Sequence, residues 1–260
     1  MAQGILLSVV LITRNEEKRL ADCLASVPFA DEFVIVDSFS TDATREVAEH
    51  YGARFFQHPL DNFSSQKNYA MAQARGEWLL LLDADERLSP ELADEIQAMI
   101  SGPQAVDGYF LQRENHYFGG PLRFGGNHRD WQLRLIRRDA GTFTGLVHER
   151  IQLKTEPGRL RGLLRHESCP TLQNYFEKLE LYTDLESQML HGQGKKPQVW
   201  ELVLKPPAHF LYFYFLKLGF LDGRRGLLYQ ALSAYYLFVK YRKARSLFCT
   251  SRQSSVISRE

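Results

Sequence analysis

The chain has 260 residues, 44% of them apolar and 24% charged, which is enough apolar material to bury a sizeable core and excludes a chain that is disordered for most of its length. Its three cysteines, Cys23, Cys169 and Cys249, are odd in number and widely spaced, so neither a disulfide framework nor a CxxC zinc or redox site is indicated. The net charge of +1 hides an asymmetry: residues 1–194 hold 20 Lys+Arg against 28 Asp+Glu, and residues 195–260 hold 12 against 3, so an acidic body carries a basic, aromatic tail.

The start runs directly into an apolar segment, without the basic region, long apolar stretch and cleavage site of a signal peptide, and a cytosolic location is expected. Ile5 to Ile12 reads as a buried strand ending at Thr13-Arg14-Asn15-Glu16, where Asn15 is the expected cap of a helix carrying Leu20 and Leu24. Phe33 to Val36 is a second strand, closed by Asp37-Ser38-Phe39-Ser40-Thr41-Asp42 before a helix over 43–51. Residues 53–57 form a third strand, 64–74 a helix, and 77–82 a fourth strand running into Asp83-Ala84-Asp85-Glu86. Ser89-Pro90-Glu91 then opens another helix, with proline in the first turn and an acid at the positive end.

This alternation predicts an α/β fold whose mostly parallel sheet is flanked by helices, with ligands at the carboxyl ends of the strands. From Asp107 the rhythm changes to strands over 108–113 and 131–137, separated by glycine-rich segments and read as mixed or antiparallel pairing. Helices are expected over about 171–192, 199–221 and 224–245. The expected division is 1–170 for the α/β domain and 171–260 for a helical C-terminal region.

Asp83 and Asp85 stand two apart in an extended segment, so their side chains point the same way and can address one hard cation, Mg²⁺ or Mn²⁺. Alone, such a pair reads sooner as a solvated turn before a capped helix. However, Thr13-Arg14-Asn15-Glu16, Asp37-Ser38-Phe39-Ser40-Thr41-Asp42 and Asp83-Ala84-Asp85 fall in order after successive strands, and this arrangement resembles the inverting family-2 glycosyltransferases of the GT-A, Rossmann-like fold.

The resemblance implies that Thr13, Asn15, Glu16 and Asp37 hold the nucleotide, that Asp83 holds ribose and diphosphate, and that Asp83 and Asp85 hold a divalent metal. Lys67 on the third helix matches the family's segment lining the nucleotide site, where it would face diphosphate or base, and reads equally as part of a solvated helical face. From the residues themselves, Trp131-Gln132-Leu133-Arg134 is a further pocket candidate, with Arg134 on diphosphate and Trp131 on sugar, and equally an ordinary buried strand face. His166 matches a late histidine that touches the metal. Inverting transfer needs a carboxylate base, and the resemblance places it in Val147-His148-Glu149-Arg150, with Glu149 as the base. Asp37-Ser38-Phe39-Ser40 departs from the family's Asp-Asp-Gly-Ser, which changes the expected shape of the base pocket.

Within the family the motifs look most like the lipopolysaccharide core glucosyltransferase group, implying a UDP-glucose donor and a lipid-linked, heptose-bearing saccharide acceptor. The tail's aromatic runs are too short and too interrupted by charge for a span. Flanked by Lys205, Lys217, Arg224, Arg225, Lys240, Arg242, Lys243 and Arg245, they suit helices lying on an anionic membrane at its cytoplasmic face, or else a core-packed helical hairpin or a dimer surface. Nucleic acid is not an expected partner, because the aromatics cluster in apolar runs instead of interleaving with basic residues. The rival readings are another nucleotide sugar, a polyprenyl-phosphate acceptor, or a non-catalytic membrane scaffold on the same fold.

Overall fold

The structure is a computed structural model describing residues 4–102, 106–127, 130–144, 150–151 and 153–257. The chain divides into two compact units, one made of residues 1–114 and 129–166, the other of 115–128 and 167–260.

In the first unit, β1 (Leu7–Thr13), β2 (Glu32–Asp37), β3 (Arg54–Gln57) and β4 (Trp78–Leu82) alternate with α1 (Glu17–Ala25), α2 (Thr44–His50) and α3 (Phe63–Gln73). They pair in parallel in the order β3-β2-β1-β4. Both faces are covered, so the middles of β1, β2 and β4 are apolar on both sides and the period of two sorts their side chains between two cores. Leu7, Val9, Leu11, Ile35, Trp78, Leu80 and Leu82 meet Leu20 and Leu24 of α1 on one side. Val10, Val34, Val36, Leu79 and Leu81 meet Ala70 and Met71 of α3 on the other.

The expectation of a mostly parallel sheet needs correction: the sheet is mixed. After α4 (Pro90–Ile100), β6 (Gly108–Tyr117), β8 (Asp130–Arg137) and β11 (Gly158–Cys169) complete it in the order β4-β8-β6-β11-β5, with antiparallel pairing of β4 with β8, β6 with β8 and β11 with β5 (Glu86–Leu88). A short β7 (Gly120–Pro121) pairs with β6, and β9 (Phe143–Thr144) with β10 (Arg150–Ile151). β4 and β5 are four steps apart in this order, about 19 Å in a flat sheet at ~4.8 Å per step. Yet only the link from Leu82 to Glu86 joins them, and four residues span at most about 14 Å. The sheet must therefore curl until its eighth strand returns to the fourth, and the Asp83–Asp85 segment closes the curl.

Helix starts follow local chemistry in part. Ser89 caps α4 by accepting from the Leu92 N–H at 3.2 Å, with Pro90 in the first turn. Asn15 is not the cap of α1: it adopts a left-handed conformation, φ 56°, and Glu16 takes the capping position without a side-chain bond.

At the opposite end of the sheet, the buried Glu32 on β2 accepts from Ser8 Oγ, from Arg54 Nη1 and Arg75 Nε at 2.7 Å each, and from the Arg75 N–H at 2.9 Å. Burial by itself would raise this carboxyl, but the donors outweigh it and hold its pKa at about 2, against 4.5 for an ordinary glutamate. A carboxyl lowered in the folded state contributes stability that is present above its unfolded pKa and lost as pH falls through the folded value. Glu32→Gln is therefore expected to lower the unfolding free energy by about 3 kcal/mol at pH 7, with the gap to wild type closing between about pH 4.5 and pH 2 in urea titrations. A gap independent of pH would show that the charge is not the cause.

The second unit is helical: α5 (Leu172–Gly192), α6 (Val199–Leu211), a π-helical turn over Tyr212–Leu216, a 3₁₀ turn over Gly219–Asp222, and α7 (Gly223–Ile257). The expected single helix over 199–221 is interrupted, because Leu218 adopts a left-handed conformation (φ 59°) and reverses the chain. Asp222 accepts from the Arg123 and Phe124 N–H groups at 3.0 and 2.9 Å, which ties the 115–128 excursion to the helices.

Candidate active site

Two clusters form where the parallel strands end. The first joins the loops after β1 and β2. Thr13 stands opposite Asp37 in the register, and its hydroxyl donates to Asp37 Oδ1 at 3.0 Å. The Ser40 N–H donates to Asp37 Oδ2 at 2.7 Å, and Ser40 Oγ to Asp37 Oδ1.

The left-handed turn at Asn15 lets its N–H donate to Ser40 Oγ at 2.7 Å, while its side-chain Oδ1 accepts from the Thr41 N–H at 2.9 Å. The Glu16 N–H donates to Thr44 Oγ1 at 2.8 Å, and the Glu16 carboxylate lies 3.6 Å from Arg19. Thr13, Asn15 and Asp37 thus belong to one hydrogen-bonded lattice, and Glu16 ties the same two loops together through Thr44. Asp37, only 1% exposed, uses its oxygens to build the lattice, while Phe39, with φ 57° and 55% exposure, projects from the loop.

The second cluster follows β4. Arg134 on β8 is buried and donates to the carboxylates of Asp83 and, at 2.6 Å, of Glu86. The Asp83 N–H also donates to Glu86 Oε2, at 3.1 Å. The surrounding protein would raise the Asp83 pKa, but Arg134 and then Lys67 outweigh it and bring it to about 2. Glu86 goes the other way, since its complete burial, reinforced by Asp83, raises it despite Arg134. Lys67 on α3 lines a narrow crevice with Ile12, Leu82, Asp83 and Arg134 and lies 5.4 Å above the Phe143 ring.

Asp85 leaves this cluster for β11, where His166 Nε2 lies 3.4 Å from its Oδ2. The structure therefore brings together Lys67, Asp83 and Arg134, and beside them Asp85 and His166. Asp83, Asp85 and His166 do not make a three-residue ligand set: among the described residues no group of three or more His, Cys, Asp or Glu is arranged to hold a metal. Asp83 is instead paired with Arg134. A two-donor site remains, and it suits a hard cation that takes one or two protein ligands and completes its shell with water and phosphate oxygens.

Arg134 Nε is buried without a hydrogen-bond partner among the described residues, a donor that an anionic ligand would satisfy. Trp131 is covered by the Arg159 guanidinium at 5.2 Å. Gln66 and Asn68, beside Lys67, are engaged internally, Gln66 with Ser38 and His58, and Asn68 with the backbone of Phe143. Glu149 and His148 lie outside the described residues, and Arg150 is placed by its backbone on β10.

Glu86 was not singled out from the sequence, where it reads as one more acid in a polar strand end. Its only local sign is the two-residue alternation that sets it on the inward side of β5 with Leu88.

The family model of glycosyl transferase family 2 matches residues 8–155. The lipopolysaccharide core biosynthesis glycosyltransferase LpsC of Rhizobium meliloti is 30% identical over 250 residues, covering 90% of this chain and 93% of that protein. An uncharacterized glycosyltransferase of Rickettsia typhi is 27% identical over 268 residues, covering 95% and 89%. Among solved structures, Staphylococcus aureus TarS 1–349 in complex with UDP aligns over 95% of this chain and 92% of that one, with 16% identity and a TM-score of 0.47.

Proposed function

The chain belongs to glycosyl transferase family 2, and from that premise we propose that it transfers glucose, with inversion, from UDP-glucose to a lipid-linked, heptose-bearing saccharide of the lipopolysaccharide core. The observation that carries the reading is the convergence of Lys67, Asp83, Arg134, Asp85 and His166 at the carboxyl ends of β1 and β4. It sits beside a lattice formed by Thr13, Asn15 and Asp37 in two loops that Glu16 also joins through Thr44.

In this reading the two loops cradle the nucleoside, with Asp37 holding their shape. Lys67 supplies positive charge toward the diphosphate, and the unmatched Nε–H of Arg134 supplies a donor. Asp85 and His166 are the residues that would hold Mg²⁺ or Mn²⁺, which when bound neutralises charge on the departing diphosphate. Glu149 takes the proton of the acceptor hydroxyl as that oxygen attacks the anomeric carbon. The new C–O bond forms as the bond to the diphosphate breaks on the opposite face, and UDP leaves with the electron pair.

The test is binding and turnover of a panel of nucleotide sugars with Mg²⁺, with Mn²⁺ and with chelator. Selective, metal-dependent use of UDP-glucose is expected. Selection of another sugar would displace the donor assignment, and absence of any nucleotide-sugar binding would displace the transfer reading. Glu149→Gln is expected to cut turnover about 100-fold with the donor Kd little changed. Full activity in that variant would place the base elsewhere.

We also propose that the second unit rests on the cytoplasmic face of an anionic membrane. No helix among the described residues is long and apolar enough to cross one. Support comes from Trp200, Leu204, Leu211, Phe215, Leu216 and Leu221, all more than half exposed on α6 and the turns after it, with Lys205, Lys217 and Arg224 near them in sequence. Phe215→Glu with Leu216→Glu is expected to lower co-sedimentation with anionic vesicles at least tenfold. Undiminished sedimentation would remove this surface as the contact.

A further inference from the structure

The second unit contains a cavity of about 540 Å³, formed between the end of β6, the Gly125-Gly126 loop, α5 and α7. That volume is of the size that holds a small organic ligand. Its walls include Tyr117, Tyr175, Tyr229 and Tyr236 together with Lys178 and Lys240, and none of its lining residues is acidic.

The tyrosines present ring faces as well as hydroxyls. Tyr117 and Tyr229 stand 4.6 Å apart, centroid to centroid, and inclined at 53°. Burial raises the pKa of Tyr117, Tyr175 and Tyr236, so their hydroxyls stay protonated; Tyr236 donates its proton to Glu186, which leaves its oxygen to accept.

The two ammonium groups differ in their surroundings. Lys240 lies 2.9 Å from Glu186, which also accepts from the Tyr236 hydroxyl at 2.8 Å, so its charge is largely balanced. Lys178 donates to the Ser168 carbonyl at 2.8 Å, a neutral partner that leaves a net positive charge at the cavity wall. His209, also in the lining, has its pKa lowered by burial and by Lys240 and is a neutral hydrogen-bonding group at pH 7.

An acyl chain would have to desolvate these hydroxyls, amides and ammonium groups without bonding any of them. A carbohydrate matches them, since its C–H faces lie on aromatic rings and its hydroxyls exchange bonds with tyrosine, Gln230 and Asn127. The excess positive charge selects an anionic one.

We propose that this cavity is a carbohydrate site taking a phosphorylated or carboxylated sugar. As the identity of that sugar's source, a part of the acceptor saccharide, it rests on the glycosyl-transfer reading above; as a binding site, it does not.

The experiment is calorimetric titration of the full chain with glucose 6-phosphate and with glucose, each with and without saturating UDP, and titration with UDP alone. Glucose 6-phosphate is expected to bind about tenfold tighter than glucose, the scale of one charge-assisted hydrogen bond, and to do so equally in the presence of UDP. Lys178→Gln is expected to remove most of that preference, and Tyr229→Ala to weaken both sugars.

Equal affinity for the two sugars, displacement of glucose 6-phosphate by UDP, or wild-type binding in both variants would each overturn the proposal. The wild-type comparisons decide the matter even if a variant does not fold. Sugar-phosphate binding without UDP binding would support the cavity and remove the donor reading, and UDP binding without sugar-phosphate binding would do the reverse.

Discussion

Asp85→Asn is expected to lower metal-dependent turnover by about 10³-fold or more, the scale of losing a charge-neutralising interaction at a leaving group, while leaving the fold intact. The substitution keeps shape and removes charge at a residue whose near neighbour is His166, 3.4 Å away. Asp85 is also not among the carboxylates that neutralise the buried Arg134. Two readouts separate site from scaffold: the thermal midpoint should stay within a few degrees of wild type, and the response of donor affinity to Mn²⁺ should disappear. Retained turnover at wild-type rates would exclude Asp85 from the metal-binding pair, and with it the assignment of His166.

Arg134→Met is expected to have the larger effect on stability. The guanidinium lies between Asp83 and the fully buried Glu86, and removing it takes away the cation that both acids share, leaving Glu86 with Arg113 at 3.6 Å and Asp83 with the field of Lys67. Breaking a buried ion pair by deleting one partner typically costs about 3–5 kcal/mol, because the remaining charge has neither water nor counter-ion. Arg134→Lys should restore only part of the loss, since an ammonium is a point charge that lacks the fork needed to serve both acids.

The pH dependence has a definite sign. In wild type, Asp83 is lowered to about 2, and that contribution is present above the ordinary aspartate pKa and lost as pH falls toward 2. In the variant both acids would titrate above their unfolded values, a destabilisation felt at neutral pH and relieved as they protonate. The deficit relative to wild type should therefore shrink on acidification from about pH 7 to about pH 4. A deficit that is constant across that range would mean that lost packing, not charge, is responsible.

The parallel half of the sheet was legible because local and tertiary demands agree there. Val9-Val10-Leu11 and Leu79-Leu80-Leu81 are apolar on both faces, as strands covered on both sides must be, and Ser89-Pro90-Glu91 starts a helix by chemistry confined to its first turn.

What was not legible depends on partners distant in sequence. Asn15 has the residue type of a cap, but its side chain accepts from Thr41, 26 residues away, and that contact places it in a left-handed turn. β11 does alternate, with Leu160, Gly162 and Leu164 facing inward, yet a glycine and interleaved arginines disguise the pattern as a polar loop. The glycine is needed because a Cβ at Gly162 would lie 2.4 Å from Leu92 Cα, where the strand crosses the first turn of α4. Glu86 looks solvated until Arg134, 48 positions later, is folded against it. Arg225, read as a membrane-facing cation, also reaches the carbonyls of Phe118 and Gly119 at 3.4 Å. On the metal, the sequence supplied the residues Asp83, Asp85 and His166, and the structure redistributed them, giving Asp83 to Arg134 and Asp85 to His166.

The short link from Leu82 to Glu86 joins the fourth strand of the curled sheet to its eighth, and the acids proposed to hold metal and diphosphate sit on that link. A ligand gripping the link fastens the two ends of the sheet to each other, so occupancy and cooperative unfolding of the first unit are thermodynamically linked. At a free concentration one hundred times its dissociation constant, such a ligand would stabilise the native state by about 2.7 kcal/mol. Protection from hydrogen exchange would then spread from β4 to β5 and β11, strands whose amides lie well away from the nucleotide loops.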